Sequence, residues 1–172
     1  MRLSRLRRVF GALNDAEVSY LVVGGIAVIA HGYQRTTTDI DLVVGLAPEN
    51  ISKAMAALTA LGYRPKVPVP ALAFADARLR EQWVAEKGMI VFQMIGDDYQ
   101  WEPIDVFVRE PFSFAEVRAR ALWHELGDGV SVPIVPLETL VEMKREAGRD
   151  QDKIDIKELQ DFAEYKKERE RA

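Results

Sequence analysis

In the first part of the chain, segments with apolar residues at helical spacing alternate with short apolar runs typical of buried strands. Side chains that recur every three or four positions predict a helix, and runs rich in β-branched and aromatic residues predict strands. The predicted elements are a helix at residues 2–16, a strand at 18–23, a helix at 26–31, a strand at 39–44 and a helix at about 50–60. Gly24 and Gly25 end the first strand, and Gly32 is well placed to end the short helix.

The rest of the chain combines clear elements with one ambiguous segment. The runs MIVFQMI and PIDVFV predict a hairpin whose turn is GDDYQWE. The other predicted elements are a short helix at 114–121, a last strand at 130–135, a helix from 136 that Gly148 interrupts, and a charged final helix at 152–169. Residues 64–88 leave alternatives open, because their prolines indicate a loop or an edge strand and the charged stretch after them fits a helical turn or a polar strand.

This order of elements predicts an α/β fold with a small mixed β-sheet flanked by helices and a helical C-terminal tail. The length of 172 residues fits one domain, with a core at about 17–135 and the tail at 136–172. The absence of cysteine removes disulfides and thiolate metal sites and is compatible with a cytoplasmic location. No apolar run is long enough to span a bilayer, so a membrane partner is not expected. Because the net charge is −4, a nucleic-acid partner would need a local basic patch.

The stretch TTTDIDLVV places two carboxylates, Asp39 and Asp41, at the start of a buried strand. Residues two apart in a strand point to the same side, so these acids share one face while Ile40 and Leu42 enter the core. Neighbouring carboxylates repel each other unless a positive charge lies between them, and a set of oxygen ligands favours Mg²⁺ or Mn²⁺. The alternative is a solvated strand end, which is the commoner case for an isolated Asp-x-Asp.

Two further features favour a site over that alternative. Gly24–Gly25 lie between a strand and a helix, where a backbone can approach phosphate closely, although a plain tight turn is also possible. Asp105 is a lone charge in the apolar strand PIDVFV, so it is either exposed on an edge strand or faces Asp39 and Asp41 from a neighbouring strand. Three such carboxylates can hold two metal ions that clamp an in-line displacement.

Polar residues elsewhere in the chain are candidates to complete a nucleotide site. They are Arg35, Thr38, Lys144, Arg149, Asp152 and Asp155. The guanidinium of Arg35 suits phosphates, and Lys144 either reaches a triphosphate or lies on a solvated helix face. The two C-terminal aspartates share one helix face, where they either orient the nearby cations or act as ordinary acids of a helix N-terminus; the second interpretation is slightly favoured. We expect the three tryptophans in the core rather than as base-stacking platforms: Trp83, Trp101 and Trp123.

These residues form a familiar pattern. The run GGIAVIAHGYQRTTTDIDLVV, with a third Asp on a later strand, resembles the signature of the nucleotidyltransferase superfamily related to DNA polymerase beta. The Gly-Gly form, with Arg35 and Thr38 before Asp39, is most similar to the minimal nucleotidyltransferases of the AbiEii/AbiGii toxin type. The run MKREAGRDQDKIDIKEL resembles a C-terminal pattern of that group, which falls here on Lys144, Arg149, Asp152 and Asp155. The resemblance covers roughly residues 20–45, 102–108 and 137–160.

The resemblance implies a magnesium-dependent enzyme that transfers a nucleoside monophosphate from an NTP to a hydroxyl acceptor and releases pyrophosphate. The acceptor would be RNA or tRNA, a protein or a small molecule, and a cognate antitoxin is an expected partner. The implied metal ligands are Asp39, Asp41 and Asp105, and the implied nucleotide contacts are Gly24, Gly25, Arg35, Thr38 and Lys144. Two alternatives stay open: a non-catalytic nucleotide- or partner-binding protein of the same fold, and a sugar-nucleotide transferase that uses Asp-x-Asp on a metal-bound diphosphate.

Overall fold

The computed structural model describes residues 2–96 and 102–171. Its strands are β1 Tyr20–Val22, β2 Ile40–Val44, β3 Tyr63–Pro65, β4 Val91–Gly96, β5 Ile104–Phe107, β6 Leu122–Glu125 and β7 Ser131–Ile134. Its helices are α1 Leu3–Asp15, α2 Gly24–Ala30, α3 Pro48–Ala60, α4 Ala77–Lys87, α5 Phe114–Ala119, α6 Leu137–Ala147 and α7 Asp150–Arg171, with a 3₁₀ turn at Ala71–Ala75.

The strands of the described chain form one mixed sheet in the order β3-β4-β5-β2-β1-β7-β6. The pairs β2–β5 and β1–β7 are parallel, and the other neighbouring strands are antiparallel. This arrangement confirms the α/β class, the mixed sheet and the expected β4–β5 hairpin. Residues 97–101 of the predicted turn GDDYQWE, with Trp101 among them, lie outside the described part of the chain.

Alternation along the central strands separates a covered face from a partly open one. The covered face buries Ile40 and Leu42 of β2, and there Phe92 of β4 stacks on Phe74 and Trp83. These aromatic contacts bring the 3₁₀ turn and α4 over the sheet, so that its apolar residues leave water. Asp41, Asp105 and Gln93 alternate with these side chains and point to the other face, where all three are only partly buried.

Residues 64–88, which the sequence pattern left ambiguous, fold into the edge strand β3, the 3₁₀ turn and α4. The Asp76 side chain caps α4 by accepting bonds from the backbone N–H groups of Arg78 and Leu79. Gly88 ends the helix in the left-handed region at φ 59°. The sequence pattern missed β6 altogether, because a four-residue edge strand with little burial carries almost no periodic signal.

No helix in the described ranges, 2–96 and 102–171, has the length and apolar character needed to cross a membrane.

Candidate active site

Strand register brings the three predicted carboxylates together. Asp41 of β2 lies directly opposite Asp105 of β5, and Asp39 lies one residue before β2 begins. The backbone N–H of Ile40 donates to the carbonyl of Pro103 at 2.9 Å, which anchors the start of β2 against the segment that leads into β5. One carboxylate oxygen from each aspartate lies within 4.8 Å of those of the other two, and all three residues are partly buried.

Burial and mutual repulsion oppose the ionisation of the carboxylates in this cluster. Burial, together with the negative charges of Asp39 and Asp105, raises the pKa of Asp41 from 3.8 to about 6. Burial also raises the pKa of Asp105, although a hydrogen bond from Gln93 opposes the rise. Three oxygen donors that share one partly buried space and repel one another match the donor set of a hard divalent cation. The residues present therefore fit Mg²⁺ or Mn²⁺.

The two glycines are required because Asp41, Thr37 and Arg35 pack closely against the start of α2. Gly24 adopts φ +60°, and a Cβ atom built on it would lie 1.9 Å from Oδ2 of Asp41. A Cβ atom on Gly25 would lie 2.3 Å from Oγ1 of Thr37 and 2.6 Å from a guanidinium nitrogen of Arg35. The Gly25 backbone N–H donates to the Asp41 carboxylate, which partly offsets the rise in its pKa. The turn therefore packs directly against the carboxylate cluster.

Each of the three carboxylates has a hydrogen-bond donor from the protein, and sequence reasoning missed two of these donors. Oγ1 of Thr37 donates to Oδ1 of Asp39 at 3.1 Å, and Nε2 of Gln93 donates to Oδ1 of Asp105 at 2.7 Å. Gln93 stands alone as a polar side chain within the apolar run VFQMI, and this mismatch was the signal that could have marked it.

A basic wall borders the carboxylate cluster and is formed by α6, the α6–α7 connection, α7 and the segment before β2. Nζ of Lys144 donates to Oδ1 of Asp152 at 3.0 Å and to Oδ2 of Asp155 at 2.6 Å, and all three side chains are buried. Arg149 donates through Nε to Oδ2 of Asp152 at 2.7 Å, and Nε of Arg35 lies 3.4 Å from Oδ1 of Asp155. The wall thus holds three cations and two carboxylates.

The environment of the two C-terminal aspartates corrects the interpretation that the sequence favoured. Asp152 does lie in the first turn of α7, where it accepts a bond from the backbone N–H of Arg149. Asp155 is fully buried and Asp152 is 2% exposed, however, so a place at the helix N-terminus alone does not account for the pair. Burial opposes the ionisation of Asp152, but the bonds from Arg149 and Lys144 outweigh it and hold its pKa below the usual value. The other possibility that the sequence left open for Lys144, a solvated surface position, is also wrong, since Lys144 is 5% exposed. The two aspartates hold and orient the cations.

The carboxylate cluster and the basic wall border one cleft of about 890 Å³, a size typical of small-molecule sites. Its polar lining includes all the predicted site residues except Asp155: Gly24, Gly25, Arg35, Thr38, Asp39, Asp41, Asp105, Lys144, Arg149 and Asp152. Asp155 lies outside the lining and accepts a bond from Lys144. The apolar part of the cleft includes Val84, Met89, Ile90, Phe107 and Met143. Of the side chains at the wall, Arg149 is the most open, with 77% of its side chain exposed.

The two tryptophans in the described part of the chain divide between core and surface. Trp83 is buried, as expected. Trp123 is 56% exposed on β6, with the guanidinium of Arg118 over its ring, so the expectation that it belongs to the core was wrong. Neither ring lines the cleft.

No family model matches the chain, and no curated protein matches its sequence significantly. Its fold is similar to that of a solved structure described as ANT(2″)-Ia in complex with adenylyl-2″-tobramycin. The TM-score is 0.55 and the sequence identity 16%, and the alignment covers 91% of this chain and 86% of that chain. The likeness at this identity is one of fold, and it confirms the expectation of a nucleotidyltransferase-like α/β architecture.

Proposed function

We propose that this chain is a metal-dependent nucleotidyltransferase that transfers a nucleoside monophosphate from an NTP to a hydroxyl acceptor and releases pyrophosphate. The observation that carries the proposal is the convergence of Asp39, Asp41 and Asp105 on one point beside a glycine turn and a basic wall. The nucleotidyltransferase-like fold supports it. Residues 1–172 would act as one domain, since the helical tail contributes its cations to the same cleft.

Asp39, Asp41 and Asp105 would hold the metal, which supplies Lewis-acid stabilisation of the phosphate oxygens and of the attacking oxygen when it is bound. The ionised carboxylates are the form that binds, and the raised pKa of Asp41 means that the cation also relieves their repulsion. Asp105, on the side of β2 away from the glycine turn, would face the acceptor and assist the removal of the hydroxyl proton.

The opposite side of the carboxylate cluster would receive the triphosphate. Gly24, Gly25 and Thr38 line the cleft, and the backbone of the glycine turn can approach phosphate oxygens there. Arg35 and Arg149 would neutralise the charge that develops on the leaving pyrophosphate. Lys144 already binds two carboxylates and is buried, so we assign it a contribution to the local positive field rather than a direct contact as its first role.

The acceptor class and the biological setting rest on the sequence resemblance alone. The form of the Gly-Gly run and the C-terminal pattern favour the AbiEii/AbiGii-like group, whose acceptors include tRNA and protein. We therefore propose RNA or protein hydroxyls as the first acceptors to examine, and a cognate antitoxin as a partner.

The proposal is tested by incubating the full chain with each α-³²P-labelled NTP, with Mg²⁺ or EDTA, in the presence of total RNA or cellular protein. We expect label on an acceptor and equimolar pyrophosphate, both only with Mg²⁺. The paired substitution Asp39→Asn with Asp41→Asn should abolish both signals, because it removes two metal ligands. Full transfer by this variant would overturn the proposal. Binding of an NTP without pyrophosphate release across the acceptor panel would instead support a non-catalytic nucleotide-binding protein.

A further inference from the structure

Gln93 is a polar residue at a position of β4 where strand propensity and partial burial favour an apolar side chain. It is the only polar residue in VFQMI, and a buried amide is costly unless its donors and acceptor are satisfied. Its side chain lies on the partly open face of the sheet, directly opposite Asp105 in the antiparallel β4–β5 pair. An aliphatic residue would suit this half-buried strand position better, so the amide marks a functional constraint.

The backbone on both sides of Gln93 fixes where its amide can reach. β4 pairs with β5 on one side, and on the other the carbonyl of Gln93 accepts a 2.9 Å bond from the backbone N–H of Lys66. From this position Nε2 donates to Oδ1 of Asp105 at 2.7 Å. The bond commits one carboxylate oxygen and sets the plane of the group, while the second oxygen keeps its lone pairs.

We propose that Gln93 is a positioning residue that aligns Asp105 for the metal ion on the acceptor side of the cluster. The inference rests on the proposed function and adds to it a residue that contacts neither nucleotide nor metal. Partners behind a ligating carboxylate orient it, and their loss typically costs about 10–100-fold in metal affinity. Thr37 serves Asp39, and the Gly25 N–H serves Asp41, in the same way. Gln93 is distinct because it acts on the carboxylate of β5, which is separated by β2 from the strand that leads into the glycine turn.

The test is Mn²⁺ titration of the full chain, followed by electron paramagnetic resonance, with and without a non-hydrolysable ATP analogue. Gln93→Leu keeps the approximate volume of the side chain and removes the donor, and Gln93→Met repeats the change with a more flexible side chain if the first variant folds poorly. Gln82→Leu is the matched control, because Gln82 is exposed on α4. In the described part of the chain, its side chain donates to Oε1 of Glu86 at 3.0 Å and makes no other hydrogen bond.

We expect the weaker Mn²⁺ binding event to lose about 10–100-fold in affinity in Gln93→Leu, while the affinity for the ATP analogue stays unchanged and Gln82→Leu behaves as wild type. In an Asp105→Ala background, Gln93→Leu should add nothing, because the carboxylate that accepts its hydrogen bond is gone. Unchanged Mn²⁺ binding by Gln93→Leu and Gln93→Met, an equal loss of nucleotide affinity, or an additive effect in the Asp105→Ala background would each overturn this role. Those outcomes leave the proposed function intact, whereas a wild-type chain that binds no Mn²⁺ contradicts both.

Discussion

Replacing Asp41 by asparagine should stabilise the metal-free protein while it destroys the metal site. The pKa of Asp41 rises from 3.8 to about 6 on folding because of burial and its neighbours Asp39 and Asp105. A difference of about two pKa units corresponds to about 3 kcal/mol, which is the cost of keeping this carboxylate ionised in the fold at neutral pH. Asparagine avoids that cost and can still accept the bond from the Gly25 N–H.

The sign of the effect follows from proton linkage. A carboxyl group whose pKa is raised on folding contributes stability that is fully present below pH 3.8 and is lost as pH rises through about 6. The free energy of unfolding of the wild type should therefore drop below that of Asp41→Asn as pH increases over this window. We expect an advantage of about 1–3 kcal/mol at pH 7.5 in EDTA, since asparagine still buries a polar amide. For a chain of this size that is about 3–10 °C in Tm.

The assay is thermal unfolding of wild type and Asp41→Asn in EDTA at pH 4, 5, 6 and 7.5, with Asp161→Asn, an exposed position on α7, as the control. The two curves should converge at pH 4 and separate by pH 7.5, and the control should follow the wild type throughout. Saturating Mg²⁺ should raise the Tm of the wild type and leave that of Asp41→Asn unchanged. A variant that is less stable than wild type at pH 7.5 in EDTA would refute the account of repelling carboxylates.

Three further results are expected. Gly24→Ala should lose much more stability in urea unfolding than Gly88→Ala, and it should also lose Mn²⁺ binding. Both glycines have φ near +60°, but only at Gly24 would the added Cβ meet Asp41. Equal losses of about 1–2 kcal/mol would mean that backbone strain alone matters. Asp155→Asn should lower the free energy of unfolding in urea by about 3 kcal/mol, since it leaves buried Lys144 with one carboxylate partner fewer. A change below about 0.5 kcal/mol, the usual size for a surface substitution, would contradict the buried network. Tobramycin should not accept label from ATP, because it is a polycation and much of the cleft wall beyond the carboxylate cluster is apolar; an adenylylated product in mass spectrometry would show that this chain shares that acceptor.

The carboxylate cluster was predictable because each step followed from local rules. The alternation of β2 put Asp39 and Asp41 on one side, and the cost of an unpaired charge in an apolar strand directed Asp105 toward them. Only the second statement needed the assumption that the two strands were neighbours, and the resemblance implied that they were. The parallel pairing of Asp41 with Asp105 confirms the placement.

The supporting residues were not predictable in the same way, because they depend on contacts between distant segments. Asp155 looks like a common acid of a charged helix until α7 folds back on α6 and buries it against Lys144. Gln93 acquires its role only from the register of β4 with β5, which a slip of one residue would reverse. Trp123 lies on a short edge strand that gave no sequence signal, so its exposure followed from sheet order and not from residue type.

The most direct measurement is isothermal titration of the full chain with each NTP, with Mg²⁺ and with EDTA, for wild type and for the variant that combines Asp39→Asn with Asp41→Asn. Our account expects binding of at least one NTP that requires Mg²⁺ and is lost in the variant, because the metal and the phosphates share these two carboxylates. Binding that is independent of Mg²⁺, or equally tight in the variant, would place the nucleotide elsewhere and contradict the claim that the cluster is built for a metal-bound triphosphate.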